Sequence, residues 1–329
     1  GKWGLGGPGS ASDPMEFFDE FYGYNCQREA HNYYPNHLWH NREKVQLDGK
    51  TYSHDLIMNA AMNFIRKNKD KSFFCYMPVT IPHASMHAPK ELHDKYRKIY
   101  PQFDDKFANY AGPRVQNPVA AFPAMMECLD NGIGQIMDLL KELGIDRDTI
   151  VMFTSDNGAH EEGGHDPDFW DSNGPLRGLK RDLYEGGIRA PFIARWPGKI
   201  RPGRTSEHIS AFWDMLPTFC EIAGVKSPDN IDGISLLPEL FGRTQKKHDY
   251  LYWEFPVFGG RQAIRAGNFK AVKLGVSQNP DAAMEIYDLA RDPGEKNNIA
   301  EERPEVVDGM KKLFARARTE SDVFSLFNK

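Results

Sequence analysis

The chain has 329 residues, with 46 acidic and 41 basic side chains, a formal net charge of -5 and a pI near 6.1. That length buries a large core, in one big domain or in two, while the acidic balance and the dispersed lysines and arginines argue against a nucleic-acid-binding surface. No apolar run approaches the length of a membrane span, and Cys26, Cys75, Cys128 and Cys220 form no C-x-x-C pair of a zinc or thioredoxin site.

The chain opens on a glycine-rich loop, G-K-W-G-L-G-G-P-G, that reads as the interior of a longer sequence. Residues 16–40 are rich in aromatic, Asn and His side chains without clean periodicity, which suits a structured loop lining a polar pocket. Over 52–68, Leu56, Ile57, Ala60, Ala61, Phe64 and Ile65 recur on one helical face. Residues 72–79, S-F-F-C-Y-M-P-V, read as a short buried strand that runs into a loop with His83 and His87. A helix near 90–99 follows. A long amphipathic helix is expected over 120–143, with Met125, Met126, Leu129, Ile133, Ile136, Met137 and Leu140 as its buried stripe and Gly144 as its C-cap.

The stretch 149–160, T-I-V-M-F-T-S-D-N-G-A-H, organises the reading. A β-branched apolar run stops in oxygen-bearing side chains and a glycine, which is how an α/β sheet presents a site at a carboxyl edge. Asp156 and Asn157 supply a carboxylate and a carbonyl oxygen, hard ligands suited to Ca²⁺ or Mg²⁺; an ordinary Asp-Asn-Gly turn is the alternative. A polar segment, 158–182, then leads to a strand over 190–195 and a helix over 211–223. The alternation of strands and helices predicts a mostly parallel sheet flanked by helices. Beyond about residue 245 short strands at 250–255, 262–265, 269–274 and 285–289 predict a small antiparallel α+β subdomain, closed by a helix over 303–319. The division is therefore 1–245 and 246–329.

A hard-cation site beside two lysines and a histidine suits an anionic tetrahedral ester, with the histidine protonating the departing alkoxide. At this point the sequence resembles the formylglycine-dependent type I sulfatases of the alkaline phosphatase superfamily, an arylsulfatase-like group. The carrying motifs are G-K-W-G-L-G at 1–6, P-H-A-S-M-H-A-P at 82–89, T-S-D-N-G at 154–158, G-L-K-R-D-L-Y-E-G-G-I-R-A-P at 178–191 and Y-D-L-A-R-D-P-G-E-K-N-N at 287–298, in family order. The resemblance implies an alkaline phosphatase-like sulfatase core in which Asp156 and Asn157 ligate Ca²⁺, Lys2 and Lys180 hold the sulfate, and His83 is the leaving-group acid. Glu185 is expected to support its loop from a buried position.

Two departures stand out. Many sulfatases carry a histidine where this chain has Gly4. The family's nucleophile, a formylglycine made within C-x-P-S-R or S-x-P-S-R, has no counterpart in this sequence, nor do two N-terminal aspartate ligands. The expectation is that the chain lacks an N-terminal segment of its own protein, which would supply the nucleophile, half of the metal site and a central strand. Two remaining oxygen ligands fall short of the six to eight that Ca²⁺ prefers, and the sheet would keep apolar edges. The implied substrate is a sulfated sugar or glycan, with Asn25, Arg28, His31, His87, His165 and Asp166 as candidate contacts, and the implied location is periplasmic or secreted. The alternatives are a phosphate or phosphonate ester hydrolase of the same superfamily and a non-catalytic carbohydrate-binding protein.

Overall fold

The computed structural model describes residues 1–321 and 324–327. Its backbone divides into two compact units, one formed by 1–149 with 160–170 and the other by 150–159 with 171–329.

In the first unit, a three-stranded antiparallel sheet runs β1 (Tyr22–Gly23), β2 (His37–His40) and β3 (Glu43–Gln46). Helix α1 (Ser53–Asn68) lies where the apolar spacing placed it, and Ile57 joins Tyr24, Ala30 and Leu38 in a buried cluster. Helix α2 spans Lys90–Ile99. A short antiparallel pair, β4 (Phe107–Ala108) and β5 (Val115–Gln116), leads into α3 (Pro118–Glu142). This helix begins two residues before the predicted start. Asn117 caps it by accepting from Ala120 N at 2.9 Å, and Pro118 occupies the first turn. Met125, Leu129, Ile136 and Leu140 are buried as the periodicity required, whereas Met126 is 38% exposed.

The segment 72–79 is not the buried strand that its composition predicts. It belongs to no sheet among the described residues, and Phe74 and Tyr76 are 55% and 50% exposed. Aromatic and β-branched content fits an extended chain, but a strand is stabilised by pairing with a neighbour, which composition does not supply.

In the second unit, β6 (Val151–Thr154) pairs with β7 (Phe192–Arg195) in antiparallel register, Val151 opposite Arg195 and Thr154 opposite Phe192. The fold is α/β, yet the ladders among the described residues are antiparallel; the one parallel pairing found there is the bridge between Lys2 and Tyr24 in the first unit. The expected mostly parallel sheet is corrected in that respect. The one-turn helix α4 (Glu185–Ile188), then α5 (Met215–Ala223) and α6 (Leu237–Leu240), precede a four-stranded meander. Its strands are β8 (Leu251–Phe255), β9 (Arg261–Ala266), β10 (Phe269–Leu274) and β11 (Met284–Asp288), each pairing with the next. One face buries Ile264, Ala271 and Ile286 under Met310 of α7 (Pro304–Ala317), and the other buries Ala263, Val272 and Tyr287 against Leu183 and Tyr184. Alternate residues of each strand serve opposite faces, as the period of two demands.

Candidate functional site

The structure positions Lys2 and His83 within the first unit, and Asp156, Asn157 and Lys180 within the second. Local contacts in each unit fix them.

In the first unit the G-K-W segment is held by backbone on both sides. Lys2 N donates to Pro78 O at 2.7 Å, Trp3 N donates to Tyr24 O at 2.9 Å, and Tyr24 N donates to Gly1 O at 2.9 Å. Trp3 packs on Phe17 and Phe18 and donates its indole N–H to Ser12 O at 2.7 Å. Gly4 sits at φ +66°, and a β-carbon there would lie 2.7 Å from the side-chain amide of Gln27. The Gln27 carboxamide therefore fills the space that a histidine at position 4 would enter.

The loop carrying His83 is organised by Tyr33. Its fully buried hydroxyl lies 2.7 Å from His83 O, 3.0 Å from Ala84 O and 3.2 Å from Thr80 O. His83 Nδ1 is 2.7 Å from Ala84 O, so the Nδ1 tautomer is the donor and Nε2 carries the lone pair of the neutral ring. The ring stacks on His31 with centroids 5.0 Å apart and an interplanar angle of 11°. Tyr110 meets both rings edge-on, and His160 lies 5.6 Å from His83 by centroid. His160 continues to His165 at 5.3 Å, and His165 packs on Phe122 at 4.0 Å. His160 Nε2 meets Pro82 O at 3.2 Å and its Nδ1 faces Glu162 at 3.4 Å. Burial, reinforced by the neighbouring His160, lowers the His165 pKa to about 4.

The other candidates are placed as follows. Asn25 is buried with both carboxamide atoms lacking a hydrogen-bond partner. Arg28 is exposed. His87 is buried, its Nε2 lies 2.9 Å from Pro113 O, and burial pushes its pKa down. Asp166 pairs with Lys106 at 3.5 Å and accepts from Phe169 N at 3.0 Å. The structure thus brings His31, His83 and His165 into one imidazole row and leaves Arg28 and His87 in different settings. Sequence reasoning missed Tyr110 and His160 as members of that row. His160 closes the T-S-D-N-G-A-H stretch and was in plain sight, while Tyr110 sits in a segment with no recognisable pattern.

In the second unit β6 delivers the turn bearing Asp156 and Asn157. Ser155 Oγ donates to Asn157 O at 2.9 Å, and Asn157 Nδ2 donates to Gly158 O at 2.9 Å, which leaves the Asn157 side-chain carbonyl oxygen as the atom that could accept or ligate. Asp156 is exposed and Asn157 half-buried. Gly158 N donates to Gly187 O at 3.0 Å, and a β-carbon on Gly158 would lie only 1.7 Å from Gly186 O. Lys180 N donates to Ala159 O at 2.7 Å, and Gly186 N donates to Arg177 O at 2.7 Å. The turn with Asp156 and Asn157, the loop with Lys180 and α4 are thus stacked backbone against backbone. A carboxylate and an amide carbonyl fit the chemistry of a hard cation. They do not complete its shell: no group of three or more His, Cys, Asp or Glu side chains converges as a metal site among the described residues.

Gly158→Ala is expected to destabilise the second unit by about 3 kcal/mol, because the added methyl meets backbone and not a flexible side chain. Gly134→Ala, on α3 where nothing lies within 4 Å, should instead stabilise by about 0.5–1 kcal/mol. Urea unfolding of both variants reads the difference, and a wild-type midpoint for Gly158→Ala would show that the clamp is slack.

Residues 1–225 match the family model described as Sulfatase, and residues 179–320 match the model described as N-sulphoglucosamine sulphohydrolase, C-terminal. The chain belongs to the sulfatase family. Human arylsulfatase A is 32% identical to this sulfatase-family chain over 292 residues, which cover 80% of the chain and 50% of that protein. The N-acetylgalactosamine-6-O-sulfatase of Bacteroides thetaiotaomicron is 30% identical over 287 residues, covering 80% of the chain and 51% of that protein. The chain therefore spans about half the length of these two relatives. The solved structure of Ps i-CgsB in complex with k-i-k-neocarrahexaose matches with a TM-score of 0.75 at 24% identity, over 92% of this chain and 67% of that one. That likeness shows the α/β fold of the alkaline phosphatase-like sulfatases.

Proposed function

We propose that the protein containing this chain is a sulfuric ester hydrolase that removes sulfate from a sulfated carbohydrate. The observation that carries the reading is the sulfatase match over 1–225, within which Lys2, His83, Asp156, Asn157 and Lys180 stand at motif positions in family order. The roles are proposed residue by residue. Lys2 and Lys180 supply ammonium groups to non-bridging sulfate oxygens, whose charge shifts as the ester cleaves. His83, in its imidazolium form, gives its Nε2 proton to the departing alkoxide, while Nδ1–H stays on Ala84 O. Asp156 and Asn157 would hold Ca²⁺, which as a bound cation supplies charge neutralisation at the sulfate. No residue of this sequence lies in a C-x-P-S-R or S-x-P-S-R motif, so the formylglycine nucleophile is proposed to come from sequence outside these 329 residues. A periplasmic or secreted location is proposed on the same family grounds.

A sugar substrate is supported by one buried, unpartnered carboxamide and by a row of aromatic rings. Asn25 is 8% exposed with its whole carboxamide unpartnered, and the imidazole row offers flat faces with polar edges. Arg28→Ala and His165→Ala in the full-length gene product should each raise KM for a sulfated monosaccharide several-fold more than for a simple aryl sulfate. Equal effects on both substrates would refute sugar recognition by these side chains. Absence of sulfate release from either substrate by the wild-type gene product would refute the hydrolase reading itself.

A further inference from the structure

Lys270 is an anomaly of its strand. It is the second residue of β10 and is fully buried, and an unpaired ammonium there would carry a large desolvation cost. Its Nζ lies 2.9 Å from Glu185 Oε1 and 3.0 Å from Glu295 Oε1, and both carboxylates are themselves buried. Glu295 is an ion-pair partner to Lys270 and spends its other oxygen elsewhere: Oε2 accepts from Glu185 N, the first amide of α4, at 2.6 Å. Arg265 Nη1 approaches Glu185 Oε2 at 3.2 Å. Arg177 Nη1 donates to Glu295 O at 3.0 Å and to the Tyr287 hydroxyl at 2.8 Å.

Apolar side chains of similar volume often stabilise as well as a buried ion cluster does, so stability alone is a weak reason for this one. What the cluster fixes is the position of α4. Helix α4 is the piece against which the other two site-bearing segments rest, through Gly158 N on Gly187 O and Gly186 N on Arg177 O. A β-carbon on Gly187 would lie 2.3 Å from Asp182 O and 2.5 Å from Leu179 O, so no slack separates α4 from the loop of Lys180. We propose that Lys270, with Glu185 and Glu295, is a positioning centre that sets the placement of Asp156, Asn157 and Lys180 from the C-terminal meander. The part concerning catalysis rests on the sulfatase reading above; the part concerning backbone placement does not.

The test compares wild type, Lys270→Met and the charge-neutral triple variant Lys270→Met/Glu185→Gln/Glu295→Gln in the full-length gene product. Amide exchange is followed at Gly158, Lys180 and Gly186, with Ala271 of β10 as the internal reference, alongside Ca²⁺ titration and steady-state kinetics. The expected result is exchange at least tenfold faster at Gly158, Lys180 and Gly186 than the change at Ala271, Ca²⁺ affinity weaker by roughly 10–100-fold, and a fall in kcat larger than the rise in KM. A purely structural cluster would speed all four amides alike and leave Ca²⁺ affinity and kcat unchanged in the folded fraction, which would overturn the proposal. If Lys270→Met does not fold, the triple variant carries the same test with the same outcomes. If wild type neither binds Ca²⁺ nor hydrolyses a sulfate ester, the sulfatase reading fails, and the exchange comparison still decides whether Lys270 positions the turns.

Discussion

On the proposed hydrolase reading, His83→Ala in the full-length gene product should lower kcat for a sulfated sugar by about 10²- to 10⁴-fold, the range of a lost general acid, with KM changed far less. The expectation comes from how the ring is held. Nδ1 is 2.7 Å from Ala84 O, and parallel stacking on His31 at 5.0 Å resists rotation about the side chain. A neutral ring in this setting has its proton on Nδ1, so Nε2 can donate only when the ring is doubly protonated. Two results follow from that. The loss in His83→Ala should be far smaller for an aryl sulfate whose phenolate leaves without a proton than for a sugar whose alkoxide needs one. The alkaline limb of the sugar pH profile should also vanish in the variant. Equal losses on the two substrates would remove His83 from the leaving-group role.

The same residue shows what a sequence can and cannot disclose. P-H-A-S-M-H-A-P marks His83 and His87 with equal emphasis, yet His83 is half-buried within a row of rings, between His31 and His160, while His87 is packed between Tyr33 and Tyr34 and tied to Pro113 O. Spacing does not distinguish them, because the difference is made by Tyr33, Tyr110 and His160 arriving from other parts of the chain. The Asp156–Asn157 turn was legible for the opposite reason. Its strand, its oxygen-bearing side chains and its glycine are contiguous, so local chemistry was enough to place the turn. The meander from Leu251 to Asp288 was legible too, since each strand pairs with its neighbour in sequence through a short connection. Segment 72–79 and the direction of β7 against β6 were not, because both depend on which strands meet, and that is a property of distant chain. Lys270 falls in the same class. Nothing in F-K-A-V-K-L separates the buried Lys270 from Lys273, which is only partly buried, until Glu185 and Glu295 are placed beside the first.

Acid should destabilise this protein well above the pH at which ordinary carboxylates titrate, and His54 is the residue on which to test it. His54 lies in the first turn of α1, is 1% exposed, and has neither ring nitrogen hydrogen-bonded. Burial lowers its pKa from 6.5 to about 4, and His165 is lowered to about 4 as well. The sign follows from proton counts. Between pH 6.5 and about 4 the unfolded chain protonates both rings and the folded chain neither, so stability falls as pH falls through that window. For each ring the full drop corresponds to about 3 kcal/mol at 1.36 kcal/mol per pH unit, of which about 2 kcal/mol is already lost between pH 7 and pH 5. His54→Leu should remove one such share. At pH 7 it should be stabilising by about 1 kcal/mol, since two buried polar atoms without partners give way to an apolar group. At pH 5 its advantage over wild type should grow to about 3 kcal/mol. Urea unfolding at the two pH values measures both. If wild type and His54→Leu lose stability in parallel between pH 7 and pH 5, the ring is already protonated in the folded protein, and its nitrogens have partners that the buried geometry of α1 does not provide.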